Sequence, residues 1–371
     1  GEKARAFLRK PQYVFGWDWG PRIATIGIGK NAWLSFEGDL ALTRVHPVTE
    51  EIGKNAKLRV EVTFESLKTI STCEAEVELS IAYEGREVYT ETRSVLAESG
   101  TNFLDFHAII PDAKLWWPNG AGEQPLYTAA VTLKSADFEL TGEPVRFGIR
   151  TVSLDLEKYG DHDRRFAVRV NGQDIYCKGG DWIPSDSIYA RVTDEKYHTL
   201  IREAGECNFN MLRIWGGGIY ERDEFYDFCD AYGILIWHDF MFACTLYPDD
   251  REWFRQEAGK ELDYQTKRLH HHPCMALWCG NNENQWLAEK YFLKTEEHPV
   301  SGGLTIYNKI APSIIHGNCP EIPYWRSSPY GGGMPNDNEV GDRHHWGDCT
   351  MSENMEDRIT PEVYDRVTSR F

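Results

Sequence analysis

Hydrophobic and polar positions along this chain change period twice, and the changes divide it into three stretches. From about Val45 to Arg150 apolar residues alternate with polar ones. That pattern predicts strands at 57–64, 75–83, 87–93, 101–110, 126–134 and 138–141, with turn residues every ten or so positions, the spacing of a small β-sandwich. After Arg150, apolar strands alternate with amphipathic helical runs, which predicts parallel βα units. Strands are expected at 174–178, 209–214, 234–239, 275–279, 323–327 and 343–346, six in all, which suits an incomplete eight-stranded barrel. Thr193, followed by Asp194 and Glu195, predicts a helix that Leu200, Ile201 and Ala204 bury and Gly205 ends. A second runs from Asp223 to Tyr232 with Phe225, Phe228 and Tyr232 on one side. Ahead of the sandwich, 24–28 and 32–36 read as two strands around Gly29-Lys30-Asn31, too few to close a core, so residues 1–43 read as a piece of a larger domain.

The strand from Met275 to Cys279 is apolar without alternation, as expected of a strand covered on both faces. It stops at Gly280, and Asn281, Asn282 and Glu283 follow. Strand ends of a βα barrel carry reacting groups, which makes Glu283 a candidate acid or base and Asn282 a candidate hydroxyl reader. The other reading is a solvated loop in which Asn281 or Asn282 caps the next helix. Similar tips follow the other strands: Asp181-Trp182, Arg213-Ile214-Trp215, Trp237-His238-Asp239 and His344-His345-Trp346. Singly, Arg213 reads equally as a barrel ion-pair partner, His238 as a core histidine and Trp237 as filler; together on one rim they point to a site. Asp18, between Trp17 and Trp19, sits either on a Trp-packed solvated loop or on a sugar-binding loop. The His270-His271-His272 run precedes its strand, on the opposite rim and without a partner cluster, so no metal or cofactor is expected.

A formal charge of −18 argues against a nucleic-acid partner, because no basic stripe interrupts the acidic surface. No apolar run reaches the roughly 18 residues of a membrane span. Thirteen Trp and eighteen Tyr are mostly core filler, but flat aromatic faces also suit sugar rings. Nine scattered Cys favour free thiols in a reducing compartment, and so a cytoplasmic location. The oligomeric state leaves no trace in the sequence.

Several motifs together resemble glycoside hydrolase family 2, and within it the β-mannosidase branch. They are Gly16-Trp17-Asp18-Trp19-Gly20-Pro21, Leu115-Trp116-Trp117-Pro118-Asn119-Gly120 with Gln124-Pro125-Leu126-Tyr127, Val145-Arg146-Phe147-Gly148-Ile149-Arg150, Met211 to Gly218, Trp237 to Phe242, and Trp278 to Glu283. The resemblance spans essentially the whole chain. It implies a multidomain β and α/β protein: residues 1–43 as the C-terminal part of a jelly-roll sugar-binding domain, 44–150 as an immunoglobulin-like β-sandwich, and 151–371 as the first six strands of a (β/α)₈ TIM barrel. It implies a retaining exo-β-mannosidase acting on terminal non-reducing β-D-mannose of an oligosaccharide or glycoside. By the same resemblance Glu283 is the general acid/base and Asn282 contacts the sugar 2-hydroxyl. Asp18 reaches the mannose from the first domain, and Trp215, Arg213, Trp182, His345 and Trp346 line the substrate site.

Two departures bear on specificity: Asp181 stands where many relatives have Asn, and His345 where some have Tyr. The family's nucleophile is a Glu in a Ser-Glu-Tyr/Phe-Gly run, and this chain stops at Thr368-Ser369-Arg370-Phe371, where that strand is expected to begin. Glu353 shares two letters with the run but lacks its context. The segment by itself is therefore expected to turn over little substrate, since retention needs two carboxyls roughly 5–5.5 Å apart. As an acid, Glu283 has to hold a proton near neutrality. Another family 2 specificity, an exo-β-glucosaminidase or an endo-β-mannosidase, and a non-catalytic sugar-binding descendant of the fold are the alternatives.

Overall fold

Alternation builds the first half of the molecule into two antiparallel sheets. The computed structural model describes residues 5–344 apart from 31, 33, 68–71, 137, 160–162, 289–301, 332–334 and 337–339. One sheet has the order β1-β2-β5, with β1 Leu40–Glu51, β2 Asn55–Ser66 and β5 Gly100–Pro111. The other joins β3 (Cys73–Tyr83), β4 (Arg86–Ala97), β6 (Tyr127–Ser135), β7 (Phe138–Thr141) and β8 (Val145–Phe147) in the order β4-β3-β6, with β7 and β8 both pairing with β6. Every second residue of β2, from Ala56 through Leu58, Val60 and Val62 to Phe64, is buried against Val77, Leu79, Ile81, Phe106 and Val131. Each such branched or aromatic side chain contributes about 1.5–3 kcal/mol by leaving water.

All six alternating runs are strands. The pattern misses β1, because Val45, His46, Pro47 and Val48 are buried in succession and show no period. Its outer face is covered by the second half of the molecule, where His46 lies against His270, ring centroids 3.6 Å apart. Pro47 is tolerated since β1 is an edge strand. The two expected strands at 24–28 and 32–36 are not formed among the described residues, and Ile26 and Phe36 are 93% and 95% exposed. Apolar alternation makes a strand only where a neighbour accepts its backbone bonds.

The second half opens with β9 (Val152–Asp155), two short strands β10 (Lys158–Tyr159) and β11 (Asp163–Arg164), then β12 (Ala167–Val170) and β13 (Gln173–Ile175), with β13-β12-β9 forming a small antiparallel sheet. Five parallel strands follow in sequence order: β14 Gly179–Trp182, β15 Met211–Ile214, β16 Leu235–Asp239, β17 Met275–Cys279 and β18 Tyr324–Trp325. The first begins five residues beyond its expected start, since 173–175 are taken by the hairpin with β12. Gly179 opens β14 where a Cβ would stand 1.6 Å from the Met211 carbonyl oxygen. Of the expected sixth strand, Arg343 and His344 are described and are not strand; His345 and Trp346 lie outside the described residues, as does Glu353.

Helices α1 (Asp194–Glu206), α2 (Asp223–Tyr232), α3 (Glu252–Leu269), the single turn α4 (Asn284–Leu287) and α5 (Ala311–Asn318) connect the strands or cover them. Thr193 caps α1, its side chain accepting from the Lys196 N–H, but Gly205 lies inside the helix, which ends at Glu206 with Cys207 as its C-cap, and Tyr197 joins Ile201 as its buried residues. Helix α2 stops at Gly233 in the left-handed conformation and buries Phe225, Tyr226 and Cys229, while Phe228 and Tyr232 are half-buried. The halves are joined by fully buried Trp116, whose indole donates to the Asp230 carbonyl at 2.8 Å. Arg150 donates to the carbonyls of Pro273 and Met275 at 3.1 and 2.7 Å.

Candidate active site

Parallel register brings the strand tips level with one another. Asp181 pairs with Arg213, Arg213 with Trp237, and Trp237 with Leu277. Beyond the strands, single bridges link Ala243 with Asn282 and Asn282 with Ser328, carrying the alignment into the loops. Gly216 makes the close approach possible: a Cβ there would meet the Phe242 oxygen at 2.6 Å, the Phe240 oxygen at 2.9 Å and the Asn282 nitrogen at 3.2 Å.

Arg213 is the centre of the tips. Its Nε and Nη2 donate to Asp239 at 3.2 and 2.6 Å, its Nη1 to Asp181 and His344 at 3.3 Å each, and its Nη2 also to Asn282 Oδ1 at 2.9 Å. Those five bonds use every donor a guanidinium has. Burial alone would lower the Arg213 pKa, but Asp239 and Asp181 hold it above the usual value. Fully buried Asp239 is pushed up by desolvation, and it also accepts from Trp237 Nε1 at 3.1 Å and the Gly216 N–H at 3.0 Å.

Glu283 follows the β17 tip in the left-handed conformation, φ 60°, and its N–H donates to the Ser328 carbonyl at 2.7 Å. This backbone costs an L-residue free energy and is sustained only where surrounding bonds over-determine it. The carboxyl lies between His344 Nδ1, 2.8 Å from Oε1, and Cys244 Sγ, 3.4 Å from Oε2. Burial would raise its pKa; the hydrogen bond and charge of His344 and the bond from Cys244 outweigh it, and Glu283 is held below the ordinary value. These neighbours favour the carboxylate form. A cavity of about 380 Å³ opens beside it, lined by Asp181, Arg213, Trp237, Ser328, Asp342, Arg343 and His344. A larger cavity, about 560 Å³, lies elsewhere, between residues 9–11, residues 28–30 and the surface of α2 and α3.

Of the residues singled out in the sequence, Arg213, Asn282 and Glu283 come together. Trp215 is buried at the rim with Trp17 and Trp19 at ring distances of 4.8 and 5.8 Å, so the loop bearing exposed Asp18 is seated over the β15 tip. Trp182 does not join them. It is adjacent to Asp181 on a strand and so faces the other way, donating to Glu221 Oε1 at 2.9 Å and packing on Phe225 at 4.7 Å. His238 is a satisfied core histidine: Nε2 meets the Tyr226 hydroxyl at 2.8 Å, and burial lowers its pKa to about 3. Cys244, Ser328 and Asp342 were not legible as site residues. They arrive on loops after β16 and β18, and nothing in their local sequence marks them.

The histidine run does meet a cluster, contrary to expectation. On the opposite end of β17, His272 Nδ1 lies 2.6 Å from Asp230 Oδ2, and the Cys274 N–H donates to Asp230 Oδ1 at 3.0 Å. The three side chains bring ligand atoms within 4.8 Å. Both Asp230 oxygens already serve as acceptors and burial pushes the Cys274 thiol well up, away from the thiolate a metal takes, so the chemistry is that of a structural knot.

Comparison with known proteins fits these tips. Residues 40–150 match the model for glycosyl hydrolases family 2, and residues 1–30 that of the glycosyl hydrolase 2 galactose-binding domain-like family. The chain is 34% identical over 360 residues to beta-mannosidase B of Emericella nidulans and 36% over 362 to that of Thermothelomyces thermophilus, each match covering 93% of this chain and 41% of the relative. The chain belongs to glycosyl hydrolase family 2. Among solved family 2 structures, a beta-D-mannosidase from Dictyoglomus thermophilum is 40% identical, with a TM-score of 0.85 over 92% of this chain and 41% of that one. This family 2 chain thus spans about two-fifths of the length of the proteins it matches. Among its described residues no helix is long and apolar enough to cross a membrane, and eight cysteines are unpaired.

Proposed function

We propose that the protein to which this chain belongs is a retaining exo-β-mannosidase that removes terminal β-D-mannose from glycosides. The observation that carries the reading is Glu283, a carboxyl at the tip of a central parallel strand beside Asn282 and Arg213, in a chain 34–40% identical to proteins named as β-mannosidases. In this reading β14 to β18 are strands of a (β/α)₈ barrel, and the paired sheets before them are an immunoglobulin-like sandwich. Residues 1–43 belong to a sugar-binding jelly roll. Glu283 is one of the two carboxyls retention requires. It protonates the leaving oxygen and later activates water. The acid form is reached when the glycosidic oxygen replaces His344 at the carboxyl and the charge of the second carboxylate raises its pKa. Asn282 takes the sugar 2-hydroxyl, Asp18 reaches the same sugar over Trp215, and Asp181 faces the cavity. The surroundings are taken as cytoplasmic from the unpaired cysteines.

Aryl glycosides test the reading. A protein carrying this sequence is expected to release the aryl group from a β-mannoside faster than from the matching β-glucosaminide or β-glucoside. A preference for gluco-configured substrates would replace the mannosidase assignment with another family 2 specificity.

A further inference from the structure

Cys244 has no part in the reading above, yet its thiol touches two of the three polar residues at the β17 tip. Sγ lies 3.3 Å from Asn282 Nδ2 and 3.4 Å from Glu283 Oε2. An amide N–H can only donate, so the sulfur accepts from Asn282; a carboxylate can only accept, so the thiol proton points at Glu283. Asn282 is itself oriented, its Oδ1 taking the Arg213 Nη2 donor at 2.9 Å. A second path leaves the same guanidinium. Nη1 of Arg213 lies 3.3 Å from His344 Nε2, and His344 Nδ1 lies 2.8 Å from Glu283 Oε1. His344 Nδ1 donates to Glu283 whether the ring is protonated or is the neutral Nδ1–H tautomer, and in that neutral tautomer Nε2 accepts from the guanidinium. In that form both paths start on one cation and end on the two oxygens of one carboxyl.

We propose that Cys244 and His344 are positioning residues that tie the Glu283 carboxyl to the Arg213 charge through a closed ring, Arg213, Asn282, Cys244, Glu283 and His344. The proposal rests on the reading of Glu283 as the acid/base. It gives a physical reason for a half-buried cysteine on this rim. The backbone supports it. Cys244 is a non-glycine residue at φ 45°, its N–H donates to the Asn282 carbonyl at 3.1 Å, and its own carbonyl accepts from Arg5 at 3.3 Å. With both peptide groups held, the sulfur is aimed by the loop. Burial, with the Glu283 charge beside it, pushes the thiol pKa far up, so it remains a donor across any working pH. Among the described residues, the other charged groups facing the ring are Arg5 beside Cys244, Asp239 and Asp181 on Arg213, and Asp342 behind Ser328, which lies 2.9 Å from His344 Nε2.

The test is a carboxyl-¹³C NMR titration of Glu283 in the intact chain, with the resonance assigned by its loss in Glu283→Gln. Cys244→Ala is expected to move the midpoint upward by about half a pH unit or more, because one donor to the charged form is gone. Cys244→Ser, which keeps one donor and one acceptor, recovers most of that, while a merely space-filling cysteine predicts that Ser and Ala behave alike. An unmoved midpoint in Cys244→Ala, or Ser indistinguishable from Ala, overturns the proposal. If Cys244→Ala does not fold, the S–H stretching band decides: assigned by difference against Cys244→Ser, it shifts toward the free-thiol frequency in Glu283→Gln, and an unshifted band overturns the proposal. Neither measurement needs turnover, so a failed mannoside assay would remove the mannosidase reading and leave this result standing.

Discussion

Glu283 illustrates what a single residue owes to its neighbours. Its carboxyl is held down by His344 and Cys244, so the acid role proposed for it requires exchanging one of those partners for substrate. Glu283→Gln is expected to slow mannosides with basic leaving groups by roughly 10²–10⁴-fold and activated aryl mannosides far less. Equal losses on both would count against the acid role. Asp18→Ala is expected to lower kcat/KM for mannosides about tenfold or more, since a charge-assisted hydrogen bond is worth about 1.5–3 kcal/mol, and to leave thermal unfolding unchanged. His238 carries a different signature. Burial lowers its pKa to about 3, so the folded chain keeps it neutral where the unfolded chain would bind a proton. It contributes stability fully present above the ordinary histidine value near 6.5, lost progressively as pH falls toward about 3. Imidazole ¹⁵N shifts at pH 5 should report His238 as neutral; a protonated ring there would contradict the burial argument.

At the scale of elements, the prediction of strands succeeded for the half-wet sandwich strands and for the continuous apolar run of β17, and failed for β1, covered on both faces and interrupted by Pro47, and for 24–28 and 32–36, which pair with nothing among the described residues. Residues 57–64 alternate because sandwich strand β2 has a core face and an outer face, and 45–48 do not because His270 and its neighbours cover the outer side of β1. Residues 24–28 alternate too, but no strand among the described residues accepts their bonds. Helices α1 and α2 were legible from the Thr193 cap and the apolar stripe, with the error confined to which residues the helices bury and where α1 ends. The β15 tip makes a testable element. In Gly216→Ala the added methyl would press on two carbonyl oxygens and a backbone nitrogen, atoms that cannot rotate away. A loss of about 1–3 kcal/mol is expected, with the tips of β15, β16 and β17 displaced and glycoside hydrolysis lost. Retained activity at wild-type stability would show that the loop after β16 yields freely.

For the whole molecule, the junction between the two halves is polar and buried. Arg150→Met leaves the Pro273 and Met275 carbonyls without their donor, each costing about 1–3 kcal/mol, so a single cooperative melt is expected to fall by several degrees or to split in two. Glu61 on β2 belongs to the same seam. His46 lies 3.2 Å from it and 3.0 Å from Glu321, and Arg59 and Arg44 lie beside it. Burial would raise its pKa; the hydrogen bonds from His46 and Arg59 and the Arg44 charge bring it to about 2. Its stabilising contribution is therefore present above about 4.5 and is lost as pH falls toward about 2. Glu61→Gln should flatten the acid limb of a stability curve between those values, and an unchanged limb would place the acid sensitivity elsewhere. By itself the sequence determined which strands have a core face, where α1 and α2 begin, and that amides, an arginine and a carboxyl gather at strand ends, because period and caps are local properties. Only the tertiary structure decided that Cys244 and His344 grip Glu283, that Trp182 faces away from it, and that the groups around Glu283 favour its charged form. Those outcomes depend on parallel register and on loops distant in sequence, and no local pattern encodes which groups such loops bring within hydrogen-bond reach.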